Sequence, residues 1–146
     1  MRTRLLVAAC LALAHGSSHA SIEWPVLYAT RAVEFTEALV RECNSSFPDG
    51  AGGRRAAFIG WKSRNQAVAT SAREFNIDRI SKQDPKLDLK VMERDLDELQ
   101  RSALSQASKA RESWEDMCRK MNQWLMNEES DVERQVPDFM FSTEKK

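Results

Sequence analysis

The sequence predicts an all-α protein, an antiparallel helical bundle of three long helices held by one disulfide. Three observations carry this. Apolar residues recur at steps of three and four, and no convincing alternating pattern is present. The four prolines, Pro25, Pro48, Pro85 and Pro137, fall where elements begin or end. From residue 61 onward there is no glycine, and the long stretches rich in Ala, Leu, Met, Glu, Gln, Lys and Arg favour helix.

The first element is expected over 25–43, with Pro25 in its first turn. Tyr28, Ala32, Phe35, Leu39 and Cys43, with Val33 and Val40 alongside, form one stripe. It stops at Asn44-Ser45-Ser46-Phe47-Pro48-Asp49-Gly50, a dense turn signal. Asn44-Ser45-Ser46 also has the form of an N-glycosylation sequon, relevant only in a eukaryotic secretory host. The second helix is expected over 53–79, with a stripe of Phe58, Trp61, Asn65, Val68, Ala72 and Phe75. Gly60 in its interior costs about 1 kcal/mol relative to alanine, and a close helix–helix approach would explain it.

The third helix is expected to start with Asp84 as N-cap and Pro85 at its first position. Residues from Met92 and Leu96 through Trp114, Met117 and Met121 to Trp124 keep core spacing almost to Asn127. No glycine or proline forces a break, so a continuous helix is favoured. A four-helix version, broken near Ser105, is also feasible.

The ends bear on location. Arg2 and Arg4 precede an apolar run over 5–14, too short to span a bilayer, and Ser18-His19-Ala20 offers a small-residue cleavage site. This reads as a signal peptide over 1–20, followed by a bundle domain over 21–136 and a tail over 137–146. Val7-Ala8-Ala9-Cys10 resembles a lipobox, but cleavage there would leave almost no apolar segment. No second stretch is long enough for a membrane span. The tail region opens on the apolar cluster Val136-Pro137-Asp138-Phe139-Met140-Phe141, expected to dock on the bundle, with capture of a partner as the alternative.

Removing the signal takes His15, His19 and Cys10 and leaves the chain slightly acidic. About 126 residues would remain, enough for one core. Two cysteines in an exported chain most simply pair, so a Cys43–Cys118 bridge is expected; the alternative is two free, buried thiols. On an up-down-up arrangement a continuous third helix brings the two cysteines to the same level within about 10 Å, which tilt can absorb, so it is compatible with the bridge.

The absences limit the chemistry. Without histidine there is no Ser-His-Asp triad, Cys-His pair or His-containing zinc site. There is no P-loop or dinucleotide glycine pattern, and no Cys-x-x-Cys-His. No cofactor, no metal and no catalytic residue is therefore assigned. Carboxylate chemistry is what an enzyme would have left: Glu74, Glu112, Glu115 and Asp116 are available, although Glu112 and Asp116 have the spacing of an ordinary solvated face.

Charge is segregated. Residues 50–73 contain no acid, against Arg54, Arg55, Lys62, Arg64 and Arg73, whereas the later chain carries acidic clusters. This either steers an acidic partner or complements acidic neighbours within the bundle. Nucleic acid is not an expected target of an exported, slightly acidic chain. Asn65, in a row of core residues, is either a polar group fixing the register of helices or part of a pocket with Trp61 and a tryptophan of the third helix, Trp114 or Trp124.

Cys43, Phe47-Pro48 in the loop after it, Trp61-x-x-Arg64-Asn65 in the second helix and Cys118 in Met117-Cys118-Arg119-Lys120-Met121-Asn122-Gln123-Trp124-Leu125 together resemble small exported helical proteins of proteobacteria. The resemblance implies an all-helical, disulfide-bridged periplasmic protein and no particular activity. The functional expectation is a non-enzymatic binding protein, meeting a protein partner through the basic second helix or the apolar tail. An immunity or inhibitor protein is one version. The candidate binding residues are Arg54, Arg55, Trp61, Arg64, Asn65 and Trp114. A small cell-wall hydrolase and a small-molecule carrier with a Trp-lined pocket are the alternatives.

Overall fold

The computed structural model describes residues 24–136; the expected signal peptide and the tail over 137–146 lie outside the described residues. Helix α1 spans Trp24–Ser46, α2 Ala51–Gln83, α3 Leu89–Lys109 and α4 Arg111–Met126, followed by a 3₁₀ turn, Glu128–Ser130, and the single-turn α5, Val132–Gln135. The fold is thus all-α among the described residues, with four long helices rather than three.

The expected stripe of α1 is its buried face: Tyr28, Ala32, Val33, Phe35, Leu39, Val40 and Cys43 are all buried, joined by Ala29 and Ala38. Few α1 positions face water, which makes it the central element of the core. Its backbone leaves helical geometry at Arg31 (φ −138°, ψ 32°). The neighbouring carbonyl of Thr30 accepts a hydrogen bond from Arg73 Nη1 at 3.0 Å. Helix α2 runs antiparallel to α1, because Arg54 meets Asn44 at one end and Arg73 meets Thr30 at the other. This pair forms the most extensive helix contact.

One extensive cluster combines the α1 stripe with Phe58, Trp61 and Ala69 of α2, Leu104 and Ala107 of α3, Trp114, Met117, Met121, Trp124 and Leu125 of α4, and Val132 and Val136 beyond. A satellite cluster of Met92 and Leu96 packs with Ile77, Ile80, Leu87 and Leu99, where α2 turns into α3. Ion pairs add a second fastening there: Arg31 of α1 reaches Glu93 and Asp97 of α3, and Arg73 of α2 reaches Glu93.

Three sequence expectations are corrected. The third helix is not continuous: Ala110 (φ −80°, ψ 71°) separates α3 from α4, five residues beyond the break considered near Ser105. No glycine or proline stands at the break. With the break, Cys43 and Cys118 are bonded at a Cα separation of 5.3 Å.

The start of the third helix is also displaced. Asp84 closes α2, its N–H donating to Ile80 O at 2.9 Å. Its side chain accepts from Lys86 N at 3.1 Å, forming a turn around Pro85. Asp88 is the N-cap instead, accepting from Lys90 N at 2.8 Å. The extra turn lets Leu87 join the satellite cluster before the helix begins.

Gly60 is not a point of close approach, since a Cβ there would meet nothing within 4 Å. The close approach is at Gly53, where a Cβ would stand 2.8 Å from Asn122 Nδ2 of α4.

Candidate functional site

The inward face of α2 positions most of the candidate residues. Trp61, Arg64 and Asn65 lie within one turn, so their side chains leave the helix on adjoining faces. All three converge on a single short stretch, Ser130-Asp131-Val132. The Trp61 indole Nε1 donates to Ser130 O at 3.0 Å. Arg64 Nη2 donates to Asp131 Oδ1 at 2.9 Å and to Leu125 O at 3.0 Å. Asn65 Nδ2 donates to the same Asp131 Oδ1 at 2.9 Å and to Trp61 O at 2.9 Å. Asn65 Oδ1 accepts from Val132 N at 2.8 Å.

The Asn65 side chain is 2 % exposed with both amide atoms bonded, so burial leaves neither unsatisfied. It anchors a C-terminal turn on α2 rather than setting the register of two long helices. The space beside Trp61 and Asn65 is filled by residues 130–132. The indole of Trp61 is fully buried and stacks on Phe58 at a centroid distance of 6.1 Å. Trp114 is elsewhere: buried on α4, its Nε1 donates to Ser46 Oγ at 3.2 Å and ties α4 to the end of α1.

Arg54 lies apart from this group, beneath the α1–α2 loop, and is 4 % exposed. Its Nε donates to Asn44 Oδ1 at 2.7 Å, and its Nη2 donates to Asp49 O at 3.1 Å and to Phe47 O. Longer contacts of 3.5 Å reach Cys43 O and Cys118 O, the carbonyls of both half-cystines. Burial lowers its pKa from the ordinary arginine value. Among the described residues its partners are all neutral acceptors, so this cation organises loop carbonyls where a carboxylate would be the commoner partner.

Arg55 remains, exposed on α2 one position from the buried Arg54. Of the carboxylates considered for hydrolysis, Glu74 is exposed on α2, and Glu112, Glu115 and Asp116 lie on α4, apart from it in the chain. Asp116 pairs with Lys120 at 2.7 Å and Glu115 with Arg119 at 2.5 Å, both four residues apart along the helix.

Sequence reasoning missed Asp131, the hub that Arg64 and Asn65 share. The signal was present but masked by the surrounding acids. Asn127 caps the 3₁₀ turn by accepting from Glu129 N at 2.9 Å, whereas Asp131 stands at the cap position of α5 with its carboxylate given to Arg64 and Asn65 instead of the helix. Val136, 3 % exposed in the main cluster, is where the apolar C-terminal cluster begins, and its remainder lies outside the described residues.

No family model matches the chain, and no curated protein and no solved structure matches it.

Proposed function

We propose that this chain is an exported, non-enzymatic helical binding protein that engages another protein through the outward face of α2. The observation that carries the reading is the character of that face. Gly52, Ala56, Ile59, Ser63, Ala67 and Thr70 point outward over five turns, all exposed and none charged. Ile59 is 69 % exposed, which sets a large apolar side chain in the middle of the face. Arg55 and Lys62 flank it on one side, and among the described residues neither enters an ion pair. A solvated helix face ordinarily carries interspersed charges; an uncharged strip centred on Ile59, with basic residues along one side, suits a partner surface with an acidic edge.

Export is supported by the Cys43–Cys118 disulfide, a bond that persists in oxidising compartments. No helix among the described residues is long and apolar enough to cross a membrane. An immunity or inhibitor protein that covers a secreted hydrolase or toxin is the specific form of this reading, since such a partner is blocked by shape and charge alone.

The test is affinity capture with the oxidised protein from cell-envelope extract and culture fluid, run beside the double variant Arg55→Glu/Lys62→Glu. The reading expects one stoichiometric protein partner that the variant loses at an unchanged melting temperature. Capture of the same proteins by both, or of none, removes it.

A further inference from the structure

We propose that Trp61, Arg64 and Asn65 form a peptide-recognition site that the chain's own residues 130–132 occupy, and that a partner protein presenting a turn in which aspartate is followed by a β-branched apolar residue can take their place. The three side chains belong to one turn of α2, yet each bonds the same three-residue stretch. Two of the bonds read main chain: the Trp61 indole holds Ser130 O, and Asn65 Oδ1 holds Val132 N. Two read the aspartate: Arg64 and Asn65 both donate to Asp131 Oδ1. Asp131 is the extended joint (φ −65°, ψ 143°) between the two turns: its N–H donates to Glu128 O and its carbonyl accepts from Arg134 N and Gln135 N, so the carboxylate is the group it presents to α2. Val132 then enters the core and is fully buried.

This is the chemistry of a peptide site: main-chain pairing for affinity, one charged contact and one apolar pocket for specificity. The occupant is lightly built. It consists of a three-residue 3₁₀ turn and a four-residue helix, neither able to persist alone, and Asn127 joins it to α4 in an extended conformation (φ −92°, ψ 135°). The own segment has the advantage of tethering, a millimolar effective concentration for so short a connection, so a competing peptide of equal chemistry binds the resting protein weakly. The site lies on the inward side of α2 and does not involve Arg55 or Ile59, so it stands or falls independently of the outward face.

The probe is a fluorescent synthetic peptide of residues 127–136, added to the oxidised full chain and to the full-chain variant Asp131→Lys/Val132→Asp, whose own segment no longer fits. Fluorescence anisotropy is expected to show binding to the variant about a hundred-fold tighter than to the unaltered chain, the gap set by tethering. A peptide carrying Asp131→Asn, or a further Asn65→Ala change in the variant, is expected to reduce binding at least about ten-fold. If the variant loses its fold, peptide binding is read as recovery of helical circular dichroism, and no recovery overturns the proposal. So does a folded variant that ignores the peptide. Sedimentation velocity on the same samples separates the remaining source: if the unaltered chain dimerises by exchanging this segment, the occupant is a second copy and the proposal of a foreign segment is overturned.

Discussion

Asn65 and Asp131 lie 66 positions apart in the chain and meet at 2.9 Å, amide nitrogen to carboxylate oxygen. The same amide's oxygen accepts the N–H of the next residue, Val132, at 2.8 Å. One buried side chain of α2 therefore holds both the side chain and the backbone of the C-terminal turn, and through them the buried Val132 and Val136.

Asn65→Ala removes that hold and leaves Val132 N and part of the Asp131 carboxylate without partners. An unsatisfied buried group costs about 1 to 3 kcal/mol, so the variant is expected to lose about 2 kcal/mol in urea unfolding. Hydrogen exchange should rise first over residues 128–136, ahead of α1 and α2.

Arg55→Glu and Arg64→Glu should differ although both arginines stand on α2. Arg55 is exposed, so its reversal should change stability by less than about 0.5 kcal/mol. Arg64 bonds Asp131 and Leu125 O, with its side chain only 38 % exposed. Glutamate there sets two carboxylates against each other and is expected to cost about 1 to 2 kcal/mol. Equal melting temperatures for the two variants would mean that the Arg64–Asp131 pair adds nothing.

The bridge between Cys43 and Cys118 spans a sequence separation of 75 residues, and both sulfurs are fully buried. The chain-entropy estimate for such a loop is about 4 kcal/mol, so Cys43→Ala/Cys118→Ala should lower stability by roughly that amount. Non-reducing mass spectrometry should find the two residues linked. Reduction of the native protein by dithiothreitol should follow its unfolding rate, because the reagent reaches the sulfurs only in opened molecules.

Tyr28 is the chain's single tyrosine, so its titration can be read directly from absorbance. Burial raises its pKa above the ordinary value, the hydrogen bond with Thr36 acts in the lowering direction, and the charge of Asp131 raises it further. With a folded-state pKa above the unfolded one, this group's contribution to stability is fully present below pH of about 10 and is lost as pH rises beyond it. The phenol is expected to ionise together with unfolding, as one transition. Independent ionisation of a still-folded protein near pH 10 would contradict its burial.

The helices were legible because each carries its own periodicity. The stripe of α1 from Tyr28 to Cys43 and the Phe58, Trp61, Asn65 and Ala72 row of α2 are the buried faces that steps of three and four imply. The disulfide was legible because reading the chain as exported sets Cys10 aside and leaves two cysteines, which such chains pair. The candidate site was legible in part. Trp61, Arg64 and Asn65 stood out as candidate binding residues, and Asn65 as a buried amide needing partners, but nothing local in the sequence names Ser130, Asp131 and Val132 as those partners.

The remaining features depend on distance in space. Ala110 breaks a helix without any glycine or proline, and beyond the break Cys118 bonds Cys43 and Trp114 reaches Ser46. Gly53, not Gly60, meets a neighbour, since which glycine faces α4 depends on where α4 crosses. Arg54 looked like part of a basic surface and is instead enclosed by loop carbonyls, while its neighbour Arg55 stays in solvent. The sequence by itself determined the all-helical class, the two core stripes and the cysteine pair, because propensity and periodicity act over a few residues. Tertiary structure alone decided the fourth long helix, the fate of each arginine and the union of Asn65 with Asp131, because those depend on groups brought together across the whole chain.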